Sequence, residues 1–315
     1  MKTIEKLKTI KTRFSLVPVL LLAGVMSFTS CNNDDDMEVM DEKNVVEVAA
    51  SAGQFTILIE AAKKAGLADY LSNTDGITVF APTDAAFKTL LTDLGAKSLD
   101  DIPADKLTNI LLYHVIGSKA MSTDLKSGYF PTLSKSAGNS ISMYISVEGG
   151  VSINKNTKVT SADIAAKNGV IHVVDKVILP PSIVNIAIDN ANFSILVQAV
   201  VKAGLVEALS AEGPFTVFAP TNDAFTALFN TLGVSGIDAL TSEQLTPILL
   251  YHVVQGNVLA SQVTSGDVPT LNEGSFISIM VSNLGVKLNE SSNVIATDVQ
   301  GSNGVIHAID SVILP

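Results

Sequence analysis

Four histidines are the side chains of this 315-residue chain best suited to proton transfer or metal binding at neutral pH. His114 and His252 each lie in L-L-Y-H-V, at 111–115 and 249–253. His172 and His307 each close N-G-V-I-H, at 168–172 and 303–307. Zinc would need at least a third protein ligand, and no carboxylate shares a short motif with any of the four. Asp175 and Asp310 follow His172 and His307 by three residues, which on a strand turns them to the opposite face. The pattern favours a buried imidazole that ties one segment to another through backbone hydrogen bonds, with ligand contact and metal binding as the other readings. Neither a metal nor another cofactor is expected. Serine hydrolysis needs an exposed nucleophile with a base and an orienting acid, yet no G-x-S-x-G occurs and no serine recurs within a shared motif. The Asp100-Asp101 pair is matched only by Asp238-Ala239 and reads as a solvated turn. No catalytic residue is expected.

Those motifs are held by a duplication. T-V-F-A-P-T stands at 78–83 and again at 216–221, an offset of 138 shared by the Tyr-His motif, while N-G-V-I-H recurs at an offset of 135. Three residues are therefore lost from the second copy between Ser134 and Asn168 in the first copy's frame. A repeat this long means two domains, read as 44–181 and 182–315, rather than a solenoid. Each copy opens with an amphipathic helix (Phe55, Leu58, Ile59, Ala62; Phe193, Leu196, Val197, Val200) closed by Gly66 or Gly204. A short apolar strand ends at Pro82 or Pro220, and Thr83 and Thr221 then stand as helix N-caps. A further helix ends at Tyr113, and the rest alternates as strands: Ile141, Met143 and Ile145, a turn at Glu148-Gly149-Gly150, then a last strand from Gly169 to Leu179. Its counterpart runs from Gly304 to Leu314, and in the second copy either Phe276-Ser278-Met280 or Ile277-Ile279-Val281 faces inward. Helices first and strands last make the fold α+β rather than a doubly wound parallel sheet.

Residues 1–30 have the basic start and apolar stretch of an export signal. The sole cysteine, Cys31, follows Phe28-Thr29-Ser30 in a stretch that resembles a bacterial lipobox, which implies lipidation at Cys31 and cleavage before it. The acidic run that follows makes 31–43 a solvated tether, and such a run resembles a signal for display on the outer surface of Gram-negative cells. An outer-membrane lipoprotein exposed at the cell surface is the expected location. Residues 31–315 carry 15 Lys, no Arg and 30 acidic residues, for a net charge of −15, with −1 in the first copy and −9 in the second. That balance excludes a nucleic-acid partner, and no nucleotide-binding glycine motif occurs.

T-V-F-A-P-T, L-L-Y-H-V and N-G-V-I-H ending in V-I-L-P, in this order and twice over, resemble the fasciclin-type (beta-Ig-H3/fasciclin) domain family. The resemblance implies, for each copy, a wedge-like β-sandwich of about seven strands decorated by several α-helices, used outside cells for adhesion and without catalysis. It carries binding over to Tyr113, His114, Tyr251 and His252, and leaves Thr83, His172, Thr221 and His307 as structural motif residues. The chain has no R-G-D. The expectation is a monomer, anchored in the membrane at Cys31, that presents loops to an extracellular protein or glycan. An accessory subunit or enzyme of a surface polysaccharide system and a structural envelope scaffold are the alternatives. Tyr70, Tyr129 and Tyr144 are not matched by tyrosine in the second copy and mark where first-copy binding would be sought.

Overall fold

The computed structural model describes residues 42–315, which form one compact unit. The expected signal peptide, Cys31 and nearly all of the tether lie outside the described residues. In the first half the order is α1 (Val45–Ser51), α2 (Thr56–Lys64), α3 (Ala68–Asn73), β1 (Ile77–Pro82), α4 (Asp84–Asp93), α5 (Ala104–Tyr113), β2 (Val115–Ile116), β3 (Gly128–Ser136), β4 (Asn139–Ser146), β5 (Ser152–Ile153), β6 (Thr157–Ala166) and β7 (Gly169–Val174). The second half repeats it as α6 (Ile183–Asp189), α7 (Ser194–Lys202), α8 (Val206–Ser210), β8 (Phe215–Pro220), α9 (Asn222–Leu232), α10 (Ser242–Tyr251), β9 (Val253–Gln255), β10 (Gly266–Pro269), β11 (Phe276–Ser282), β12 (Gly285–Leu288), β13 (Ser292–Gln300) and β14 (Gly304–Ile309). Helices lead and strands follow in both, as expected for α+β.

Each half has seven strands. In the first they form a continuous run, β1 to β7, that closes on itself, so the expected sandwich is a rolled sheet with an inside and an outside. Closure comes from β1, which pairs parallel with β7 from Ile77–Gly169 to Pro82–Val174 and antiparallel with β2. The second half runs β10-β11-β12-β13-β14-β8-β9, with β8 parallel to β14, and Leu271 N–H donates to Val253 O (2.8 Å) across the remaining gap. Gly169 and Gly304 start β7 and β14 because a Cβ there would overlap the carbonyl oxygens of Ile77 and Phe215.

Two cores serve each half. In the first, Phe55, Leu58, Ile77, Phe87, Leu107 and Ile171 pack between helices and sheet, while Phe80, Met143, Ile145 and Ile153 fill the rolled sheet. The second half repeats both. Thr83 and Thr221 cap their helices as expected, accepting from Ala86 N–H and Ala224 N–H (3.3 Å each). The next residue has a role the sequence did not suggest. Asp84 Oδ1 accepts from Ile57 N–H (2.7 Å), and Asn222 Oδ1 from Ile195 N–H (2.9 Å), capping α2 and α7, whose own N-cap residues Phe55 and Phe193 offer no side-chain oxygen.

One expectation changes and two open readings become definite. The last strands end at Val174 and Ile309, not at Leu179 and Leu314, because Ile178 and Ile313 leave the sheet to bond His114 and His252. Ile277 and Ile279, not Phe276 and Met280, face inward on β11. The register pairs Gly128 with Ile145 and Gly266 with Ile279, so the second copy is four residues shorter across the β3–β4 hairpin and regains one in the next turn. The first domain thus has a longer hairpin arm, and that arm meets the second domain.

Candidate functional site

Every histidine is buried, and both nitrogens of each are engaged by the backbone. Ile178 N–H donates to His114 Nε2 (2.9 Å), which places the proton on Nδ1, where it is donated to Ile110 O (2.8 Å). His252 repeats this with Ile313 N–H (3.1 Å) and Ile248 O (2.7 Å). His172 and His307 take the other tautomer. Their Nδ1 atoms accept from Asp163 N–H (3.2 Å) and Asp298 N–H (3.3 Å), and Nε2–H donates to Ala120 O (3.0 Å) and Val258 O (2.9 Å). A carboxylate oxygen of Asp163 or Asp298 lies 4.0 Å from each Nδ1. These are the acids that no short motif revealed, since they sit nine residues upstream on the neighbouring strand. Burial pushes His114 and His252 down to about 4, and it lowers His307 against the opposing pull of the Val258 bond and Asp298. Neutral imidazoles with both nitrogens committed have no lone pair for a metal and no free position for a substrate proton.

The tyrosines of the Tyr-His motif are equally internal. Tyr113 Oη–H donates to Ser142 O (3.0 Å) and accepts from Asn154 Nδ2 (2.8 Å), while Tyr251 does the same with Phe276 O (2.7 Å) and Asn289 (2.8 Å). Burial raises the Tyr113 phenol well above its ordinary value. Tyr113, His114, Tyr251 and His252, the positions carried over for binding, are therefore inside the domains. A partner at this region would meet the segments they hold, not their side chains. His114 pins residues 177–181, which lead into the second domain, and Tyr113 braces β4 at Ser142, which touches it.

That junction is the open polar site. Ser142 Oγ accepts from Gln300 N–H (3.0 Å), Ser136 Oγ–H donates to Ser302 O (2.6 Å), Asn190 Nδ2 donates to Tyr129 Oη (3.3 Å), and Ser302 N–H donates to Pro181 O (2.7 Å). The Tyr129 and Tyr144 rings stack tilted at 60° with centroids 5.0 Å apart. Burial raises the Tyr129 phenol, with the Asn190 bond acting against it, and also raises Asp189, which Lys155 of the first domain partly offsets. Beside these contacts opens a cleft of about 430 Å³, lined by Tyr129, Pro131 and Ser140 of the first domain and Asn192, Thr297 and Asp298 of the second. Hydroxyls, amides and one carboxylate around an apolar floor suit a ligand rich in hydrogen-bonding groups. A smaller cavity of about 60 Å³ among Val184, Leu196, Val200 and Val217 is core packing around His252.

Of the unshared tyrosines, Tyr129 lies at this junction with Tyr144 stacked on it, while Tyr70 stands exposed on α3. Ser142, Asn190 and Gln300 were not singled out by sequence. The signal that could have found them is the unequal hairpin length, which marks where the copies have different neighbours.

The Fasciclin domain model matches residues 53–180 and 191–315. Protein sll1483 of Synechocystis sp. is 53% identical over 134 residues, 42% of this chain and 73% of that protein. Transforming growth factor-beta-induced protein ig-h3 of Sus scrofa is 28% identical over 301 residues, covering 94% of this chain. Human periostin is 30% identical over 254 residues, covering 79% of it. The chain spans only 41% of the first of these two animal proteins and 29% of the second. Among solved structures, a FAS1 domain pair from the insect cell adhesion molecule Fasciclin I aligns at 19% identity with a TM-score of 0.48, over 84% of this chain and 98% of that one. With a family match on each half of the duplication, this chain belongs to the fasciclin domain family, in two tandem copies.

Proposed function

We propose that the protein is a non-catalytic adhesion lipoprotein of a Gram-negative cell surface. Acyl chains on Cys31 hold it in the outer membrane, and residues 32–43 space it from the lipid. The two-domain unit is presented to an extracellular protein or glycan. The observation that carries this reading is the pairing of four fully committed histidines with an open, polar cleft where the two domains meet. The groups best suited to acid–base work are spent on the fold, and the accessible groups are suited to recognition. The fasciclin domain match on both halves of the chain points the same way. The acidic second domain, at −9, favours a neutral or cationic partner over an anionic one.

The test is attachment of cells displaying the full-length protein to surfaces coated with extracellular-matrix proteins or neutral glycans. Attachment should be saturable, and Cys31→Ser should abolish it by releasing the protein from the membrane. Turnover of a polysaccharide fragment by the purified protein, lost in His114→Ala or His252→Ala, would instead establish the enzyme alternative. Cross-linking confined to other envelope proteins would establish the scaffold.

A further inference from the structure

The outer face of β10–β11 is the counterpart of the face by which the first domain holds the second. Register fixes the correspondence. Tyr129 pairs with Tyr144 and Pro131 with Ser142, as Asp267 pairs with Ser278 and Pro269 with Phe276. In the first domain this face is covered: Tyr129 packs on the core of the second domain and bonds Asn190, and Ser142 bonds the backbone at Gln300. In the second domain it is bare and more apolar. Phe276 is 55% exposed and Met280 52%, where the first domain has Ser142 and Ser146, and Leu284 at the adjoining hairpin tip is 95% exposed. Phe276 and Met280 lie on one face of β11, and exposed apolar side chains along a strand face mark a contact.

What covers the first-domain face identifies the occupant. It is the β13 side of a fasciclin domain, and on the first domain's own version of that side Ala52, Ser161, Ala162 and Ala165 are exposed among the described residues. Ala165 holds the place of Gln300, and its methyl side chain leaves room for Phe276 where Ser142 would stand. Charge selects the same pairing, because a second domain at −9 is repelled less by a first domain at −1 than by another second domain.

We infer that the β10–β11 face of the second domain docks on the β6 face of the first domain in a second copy of this chain, head to tail. The contact is heterologous, so each bound copy leaves one face free to take another, and assembly is not limited to an isologous dimer. It is weak, since the second domain lacks the four-residue hairpin extension that reaches Ser302 in the first. This replaces the expectation of a monomer with association that depends on local concentration at a surface, and it is independent of what the junction cleft binds.

Sedimentation of residues 42–315, which form one compact unit with their own cores, tests it between roughly 5 and 500 µM, the range of a small interface. The weight-average mass should rise across that range. Phe276→Glu with Met280→Glu should weaken association at least about tenfold, as should Ala165→Glu, while Val201→Glu on exposed α7 should not. Mixing the Phe276/Met280 variant with the Ala165 variant should give a one-to-one dimer and nothing larger, because each keeps the face that the other lacks. If a glutamate variant shifts the melting temperature, Phe276→Ala with Met280→Ala takes its place. A wild-type mass that stays monomeric at the highest concentration overturns the proposal. So does association that survives the Phe276/Met280 change, or a mixture that fails to pair.

Discussion

Lowering the pH from 7 to 4 is expected to remove about 3 kcal/mol of stability through His114 and a similar amount through His252. The sign follows from where the proton binds. An unfolded histidine takes it up near the ordinary value of about 6.5, whereas burial keeps the folded His114 and His252 neutral down to about 4. Between these values the unfolded chain holds more protons, so stability falls as the pH falls. Above about 7 these two groups contribute no slope, and below 4 their loss is complete. His307 adds in the same direction. Urea unfolding at intervals from pH 8 to 4 should give a slope of at least about two protons in the middle of that window. His114→Gln should remove about one of them and lower stability at pH 7 as well, because Ile178 N–H and Ile110 O lose their shared partner. Unfolding free energies that do not change from pH 7 to 4.5 would contradict the neutral, fully bonded state of both imidazoles.

Asn168→Ala is expected to cost about 3–5 kcal/mol, more than any surface substitution in the first domain. One side chain joins three segments: Oδ1 accepts from Val45 N–H (2.9 Å) at the start of α1, and Nδ2 donates to Leu71 O and Thr74 O (2.8 Å each) at the end of α3. Truncation leaves these buried groups without partners at the point where Gly169 brings β7 against β1. Asn168→Asp should be no milder, because it keeps the acceptor but removes both donors and buries a charge. Asn303→Ala should do the same to the second domain, where Oδ1 accepts from Ile183 N–H (2.9 Å) and Nδ2 donates to Leu209 O and Ala211 O (2.9 Å each). Denaturant unfolding of the single variants measures both, and a loss below about 1 kcal/mol in either would show that these bonds are not what closes the domain.

The residues legible in the sequence were those whose role is local or repeated. Thr83 and Thr221 cap helices that begin one residue later, and the repeated motifs favour a buried, backbone-tied histidine at all four positions. Asn168 was visible only as part of a motif, because its partners lie 94 to 123 residues away and nothing in its neighbours names them. The V-I-L-P ends looked like strand because Val177, Ile178 and Leu179 have strand composition, yet the sheet is already paired, and Ile178 answers to His114 instead. The face of β11 was ambiguous for a related reason: alternation gives a period but not which phase faces inward, and both phases here are apolar. The junction was illegible residue by residue. Ser142 and Gln300 are ordinary in type and 158 positions apart, and what recommends them is packing between domains. Comparing the copies came nearest, since Tyr129, absent from the second, lines the contact with Tyr144 stacked on it.

The central claim is that the shared motifs build the scaffold and that recognition belongs to the cleft between the domains. Surface plasmon resonance of residues 42–315 over the coated matrix proteins and neutral glycans tests it most directly, comparing wild type with Asn192→Ala combined with Thr297→Ala. Both residues line the cleft from exposed positions, so the fold should keep its melting temperature. Wild-type binding should be saturable and should weaken about tenfold or more in the double variant. Equal affinity in the two proteins, on a surface that binds the wild type, would contradict it.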